Sequence, residues 1–164
     1  MLFISRIIKK FIEKQMKYKI IKATKNNIDQ IGELFDLYRQ FYKFKSNIKE
    51  STTYIRERIN NNESIIYFAL TENHDSAGFV QLYETFGSLH LGKIIILYDL
   101  FVKNTYRKFG IGEKLIKKSH NYAKSIGAKS IELSTAKNNL TAQSLYEKIG
   151  YIRDNEFYSY NYEI

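Results

Sequence analysis

Residues 93–112 read KIIILYDLFVKNTYRKFGIG, an apolar run broken only by Asp99 that passes through a short polar turn into R-x-x-G-x-G. The run predicts a long strand, and the glycines predict the turn that leads into a helix. Gly110 and Gly112 leave no Cβ over the first helical turn. The backbone N–H groups of Lys108, Phe109, Gly110, Ile111, Gly112 and Glu113 can therefore close on a pyrophosphate at the positive end of the helix. A dinucleotide-binding turn would need G-x-G-x-x-G and a ribose-binding acid about 20 residues on. Arg107 stands where the first of those glycines would be, which disfavours that reading. Taken alone, R-x-x-G-x-G is equally an ordinary strand-to-helix turn.

A second motif begins 27 residues beyond Gly112, where residues 139–151 read NLTAQSLYEKIGY. Asn139 suits a helix N-cap, Ala142 keeps the buried face small, and Tyr146 follows Asn139 by seven residues, about two turns later on nearly the same face. The two spaced motifs together resemble the GNAT superfamily of N-acetyltransferases, with its R/Q-x-x-G-x-G/A after a central strand and its N-x-x-A-x-x-L-Y-E-K-x-G-F/Y. The resemblance runs from about Lys17 to the C-terminus and is strongest over residues 96–151. LYDLFV and ELSTAKNN look most like the branch containing spermidine/spermine and histone-type acetyltransferases.

The resemblance implies an α+β fold, a GNAT-like mixed, mostly antiparallel central sheet with helices on both faces. It implies acetyl-CoA as the acetyl donor. Backbone groups of Leu100, Phe101 and Val102 would pair with the pantetheine arm, the segment from Arg107 through Glu113 would hold the pyrophosphate, and Asn139 would bind the cofactor arm. Tyr146 matches the tyrosine that protonates the leaving CoA thiolate. Polyamine-type members carry L-E-D on the central strand, where this chain has Leu97-Tyr98-Asp99. With Tyr98 in the glutamate's place, Asp99 becomes the leading catalytic acid or base and Glu84 the second candidate.

The function implied is direct transfer of an acetyl group to a primary amine: a polyamine, an amino acid or a protein amine. An amine with a pKa near 10.4 is neutral in about one molecule in 2,500 at pH 7, so the site must favour proton loss. The chain has no Cys, which leaves no cysteine acyl-enzyme and no disulfide scaffold. Its three His (His74, His90 and His120) lack metal-ligand spacing, so no metal is expected. The alternatives are a non-catalytic acetyl-CoA or CoA-binding protein and, behind it, a basic nucleic-acid or membrane-surface module.

The charge distribution weighs against that last class. Of the net +9, +6 lies in the first 22 residues, so the remainder is nearly balanced and no nucleic-acid partner is expected. Residues 1–16 place Phe3, Ile4, Ile7, Ile8, Phe11 and Ile12 at helical spacing opposite basic residues. They are read as an amphipathic N-terminal helix or extension, with membrane contact through residues 1–15 as the less favoured role. Residues 17–164 are read as the acetyltransferase domain, expected to be cytoplasmic and homodimeric. Its elements should be a strand over 18–24, a helix over 26–44 and a short helix over 51–58. Strands at 64–71, 77–85 and 93–102 should follow as an antiparallel meander, then a helix over 111–126, a strand at 130–134, a helix over 140–149 and a last strand or pair within 151–162. A polyamine would need an acidic groove, for which Glu33, Asp36, Glu84 and Asp99 are the candidates.

Overall fold

The computed structural model describes residues 16–164, so the expected helix over residues 1–16 lies almost wholly outside the described residues. Five strands form one sheet in the order β1-β2-β3-β4-β5: Tyr18–Lys22, Ile65–Thr71, Ser76–Gly87, Gly92–Val102 and Ile131–Glu132. The first four are antiparallel to their neighbours, and β5 runs parallel to β4. Two helices, α1 (Ile28–Phe41) and α2 (Ile48–Asn60), lie between β1 and β2 in the chain, and α3 (Ile111–Ser125) lies between β4 and β5. The α+β mixed sheet implied by the motifs is thus the observed fold.

Side chains alternate across the strands, and this puts helices on both faces. Phe68 and Phe79, opposite one another on β2 and β3, join Phe101 in a core with Ile31 and Leu34 of α1 and Ile55 of α2. Their neighbours point the other way: the ring of Tyr67 packs edge-on against Tyr122 of α3, with centroids 6.2 Å apart. Ile111, Leu115, Ile116, Ser119 and Ala123 form the buried stripe of α3.

The short second helix starts three residues earlier than expected. Asn47 and Glu50 form a reciprocal cap there, with the Asn47 side chain accepting from the Glu50 N–H at 3.2 Å and donating to the Glu50 carboxylate at 3.0 Å. The strand expected at 130–134 is reduced to Ile131–Glu132.

Asp36 fixes the connection between α1 and α2. Its buried carboxylate accepts from Gln40 Nε2 at 2.8 Å, Ser46 Oγ at 2.7 Å, the Asn47 N–H at 2.8 Å and Ser51 Oγ at 3.1 Å. Burial pushes the Asp36 pKa up, but the donors from Ser46, Asn47, Ser51 and Gln40 outweigh it and hold the pKa below its ordinary value. This acid is structural, which answers its candidacy for a substrate groove. Asp36→Ala strips the acceptor from four donors and should cost about 3–5 kcal/mol, read as a lowered urea midpoint at unchanged slope. The sign with pH follows from the lowered pKa: the Asp36 contribution is complete above the unfolded value near 3.9 and is lost as pH falls through the folded one.

The chain divides into two compact units, the first ending at Leu133 and the second comprising Ser134–Ile164. In the second, α4 (Leu140–Ile149) ends on Gly150 in the left-handed conformation. Residues 151–164 form no strand, in contrast to the last strand or pair expected there. Strand formation needs a partner edge as well as β-forming residues. Among the described residues these have none, and Phe157, Tyr158, Tyr160 and Tyr162 stand exposed.

Candidate active site

The central strand carries a bulge where chemistry is expected. Gln81 of β3 pairs with Asp99, but the next residue, Leu82, pairs with Leu97, so Tyr98 is the extra residue. A one-residue slip reverses the inward-outward alternation. Without it, Asp99 would share a face with Leu97. With it, Asp99 turns toward α1 and α2 along with Phe101.

Asp99 is almost completely buried and lies in the lining of a cleft of about 350 Å³. Six rings surround the cleft: Phe35 and Tyr38 on α1, Tyr42 and Phe44 just beyond its end, Tyr54 on α2, and Tyr98 on β4. Arg39 completes the lining. Tyr98, in the place of the polyamine-type glutamate, is 67% exposed at the cleft and meets Tyr83 edge-on with centroids 5.6 Å apart.

Burial pushes the Asp99 carboxyl from its ordinary 3.8 up to about 6, against the opposing effect of hydrogen bonds from Tyr38 and Gln81. Gln81 Nε2 donates to Asp99 at 3.1 Å and also to the Tyr83 hydroxyl, which lies 2.9 Å from the Tyr54 hydroxyl. Gln81 Oε1 is buried without a partner. Desolvation, and then the neighbouring Asp99, raise the Tyr38 pKa far above its ordinary value, so Tyr38 stays a protonated donor. The result is a carboxyl that titrates near neutrality inside an aromatic cleft.

Glu84 is not part of this cluster. It extends from the opposite face of β3, where Tyr122 of α3 donates to it and Lys93 Nζ lies 2.9 Å away. The hydrogen bond from Tyr122, followed by that from Lys93, lowers its pKa, so it is held as a paired carboxylate.

The β4 edge facing β5 is paired only at Ile95 and Ile96 among the described residues. Along Leu100, Phe101 and Val102 the β4 edge is therefore open, with backbone groups that alternate between this edge and β3. Beyond them, Arg107 Nε donates to the Val102 carbonyl at 3.0 Å, and its guanidinium lies over the Phe41 ring, 5.7 Å from the centroid. That clasp holds the strand end to the turn.

Lys108 (φ 70°) and Gly110 (φ 77°) are both left-handed, which curves the loop over the N-terminus of α3. The Tyr18 hydroxyl supports it by donating to the Phe109 carbonyl at 3.1 Å, and Lys114 Nζ sits 4.4 Å from the Tyr18 ring centroid. Glu113, the acid in the first turn, is neutralised by Lys117 Nζ at 2.7 Å. The open edge fits an extended amide-bearing arm, and the curved loop fits a pyrophosphate. A Cβ at Gly110 would meet only the Tyr18 hydroxyl, at 3.7 Å, so the backbone angle and not crowding is what requires glycine there. Gly110→Ala should cost about 1–2 kcal/mol from the left-handed angle alone, a drop in Tm of about 2–8 °C by differential scanning fluorimetry.

In the second unit, Asn139 caps α4. Its Oδ1 accepts from the Ala142 N–H at 3.4 Å and its Nδ2 donates to Thr135 Oγ1 at 3.3 Å. Tyr146, two turns on, is buried and packs edge-on against Tyr151 at 5.9 Å. Burial, followed by the Tyr146 hydroxyl, pushes the Tyr151 pKa up to about 12.

Tyr38, Gln81, Tyr54 and Arg39 were not singled out as site residues by the motifs. Gln81 carried a signal, as a lone amide within the apolar stretch AGFVQLY. Tyr38 had none, because in a helix it reads as one more ring of the apolar stripe.

Residues 31–151 match the Acetyltransferase (GNAT) family. The chain belongs to this family of acetyl-CoA-dependent N-acetyltransferases. It is 39% identical over 141 residues to the uncharacterized N-acetyltransferase YhfO of Bacillus subtilis, covering 86% of this chain and 94% of that one. It is 32% identical over 91 residues to the D-amino-acid N-acetyltransferase HPA3 of Saccharomyces cerevisiae, covering 56% of each. A crystal structure of a probable acetyltransferase superposes with a TM-score of 0.83 at 35% identity, covering 89% of this chain and 97% of that one. Among the described residues, no helix is long and apolar enough to cross a membrane.

Proposed function

We propose that the enzyme acetylates a primary amine in a ternary complex, with Asp99 as the base and Tyr146 as the acid. The observation that carries this reading is a buried carboxyl of raised pKa in an aromatic cleft, on the strand whose open edge suits the donor. Bound acetyl-CoA supplies an activated thioester. The β4 edge at Leu100, Phe101 and Val102 orients its arm, and residues 107–113 hold its pyrophosphate through backbone N–H groups. Asn139 binds the cofactor arm, a role that the motif N-x-x-A-x-x-L-Y supports. Asp99 takes a proton from the ammonium of the acceptor, and Tyr38 and Gln81 hold the carboxylate in place by donating to it. The Tyr146 hydroxyl gives its proton to the departing sulfur.

The chain's likeness to the branch with spermidine/spermine and histone-type enzymes is part of this reading, supported by the LYDLFV and ELSTAKNN segments. So are a cytoplasmic location, where acetyl-CoA and amine metabolites meet, and a homodimer, supported by the exposed rings of residues 157–162. Residues 17–164 are taken as the catalytic domain and residues 1–16 as an extension to it.

The pH dependence of kcat/KM tests the base. With Asp99 ionised and the amine arriving as ammonium, kcat/KM rises with unit slope to an apparent pKa of about 6 and is flat above it up to the pKa of the amine. A profile that climbs without a break through pH 6 toward the amine pKa assigns no base to Asp99.

A further inference from the structure

Four acids were candidates for a groove that would hold a polycation, and the fold disperses them. Asp36 is consumed by four donors in the α1–α2 connection, Glu84 lies on the other face of the sheet bound to Tyr122 and Lys93, and Glu33 is exposed and does not line the cleft. Asp99 alone lines it. The other charge in the lining is positive: Arg39, whose guanidinium lies over the Phe44 ring, 5.5 Å from the centroid, and 3.7 Å from Glu50. The apolar character of the lining continues outward, since Phe41, Tyr42, Phe44 and Ile48 are all at least 41% exposed at the end of α1 and the start of α2.

Such a cleft discriminates by charge number and by shape. One ammonium is welcome, because it meets a single carboxylate and the faces of surrounding rings. A second ammonium on the same molecule would be desolvated against rings and brought toward Arg39, whose neighbouring carboxylate, Glu50, is already paired with Arg39 and Asn47. The rest of the acceptor must instead cover the ring surface, which favours a flat apolar body.

We infer that the acceptor is a monocationic primary amine on an apolar aromatic body, an arylalkylamine in chemical type, and that polyamines and aminoglycosides are discriminated against by a lining that offers one carboxylate, Asp99, one cation, Arg39, and an exposed aromatic rim around Phe44. This inference rests on the acetyl-transfer reading and goes beyond it by naming the acceptor class. The transfer balances simply. The amine nitrogen forms a bond to the acetyl carbon and the carbon–sulfur bond breaks; of the two protons the ammonium loses, one passes to Asp99 and the second makes good the one that Tyr146 gives to the sulfur, which leaves as the thiol.

The test uses the full-length enzyme, acetyl-CoA and four amines: phenethylamine, tryptamine, spermidine and kanamycin. Free thiol is followed spectrophotometrically, and acetyl-CoA binding is measured separately by calorimetry. The two arylalkylamines should show kcat/KM at least about tenfold above spermidine and kanamycin. Phe44→Glu, at a 60% exposed position where the fold should tolerate it, should lower kcat/KM for phenethylamine about tenfold and raise it for spermidine. Spermidine or kanamycin matching the arylalkylamines in the unaltered enzyme overturns the inference. So does acetyl-CoA binding with turnover of none of the four, or an unchanged phenethylamine-to-spermidine ratio in Phe44→Glu. Absence of acetyl-CoA binding is a different failure, which removes the acetyl-transfer reading itself.

Discussion

Asp99→Asn is expected to fold at least as stably as the unaltered enzyme at pH 8 while losing about 10²- to 10⁴-fold in kcat, the range a positioned general base contributes. The two effects share one cause. A carboxyl whose pKa rises from 3.8 to about 6 on folding holds a proton in the native state that the unfolded chain has released. Stability therefore falls as pH rises from about 4 to about 6, and the penalty persists above that, up to about 3 kcal/mol for a shift of this size. The amide carries no charge to desolvate. Its oxygen can still accept from Tyr38, and its NH2 can donate to Gln81 Oε1, which is now buried without a partner once that side chain rotates.

Thermal midpoints of the two proteins should coincide near pH 4 and separate at pH 8 in favour of Asp99→Asn. The acid limb near pH 6 should vanish, leaving a rate that climbs with the fraction of free amine. Retained turnover in a well-folded Asp99→Asn protein removes the base from this position.

Tyr146→Phe should leave the fold and the affinity for acetyl-CoA in place, since one oxygen is lost from a helix whose apolar face is unchanged. The rate should fall by about 10²- to 10⁴-fold in kcat, with KM for acetyl-CoA nearly constant. A purely structural tyrosine gives the opposite pattern, with about 1 kcal/mol of stability lost with its hydrogen bond and turnover per folded molecule intact. Tm and kcat measured on one preparation separate the two. Turnover within about threefold of the unaltered enzyme leaves the thiolate to be protonated by another donor, such as water.

The motifs were legible wherever the chemistry depends on backbone. Residues 107–112 needed only the glycines and the strand before them, because a left-handed turn and unpaired N–H groups at a helix start are local properties. Asn139 was legible as a cap for the same reason. The missed start of α2 at Ile48 was also local, a reciprocal Asn47–Glu50 cap that could have been read from the sequence. The strand expected within residues 151–162 failed differently: alternation and β-forming rings describe a strand's faces but supply no edge for it to pair with.

Family, donor and the type of reaction were thus readable from two short motifs, since each rests on contacts within a few residues. Which acids meet the acceptor was not. Asp36, Glu84 and Asp99 look alike in the sequence, and their roles were assigned by long-range partners: Ser46, Asn47 and Ser51 for the first, Tyr122 and Lys93 for the second, Tyr38 and Gln81 for the third. One extra residue at Tyr98 decides the face on which Asp99 is buried, and burial sets its pKa. Desolvation depends on what surrounds a carboxyl in space, and only the packing of α1 and α2 against the sheet supplies that.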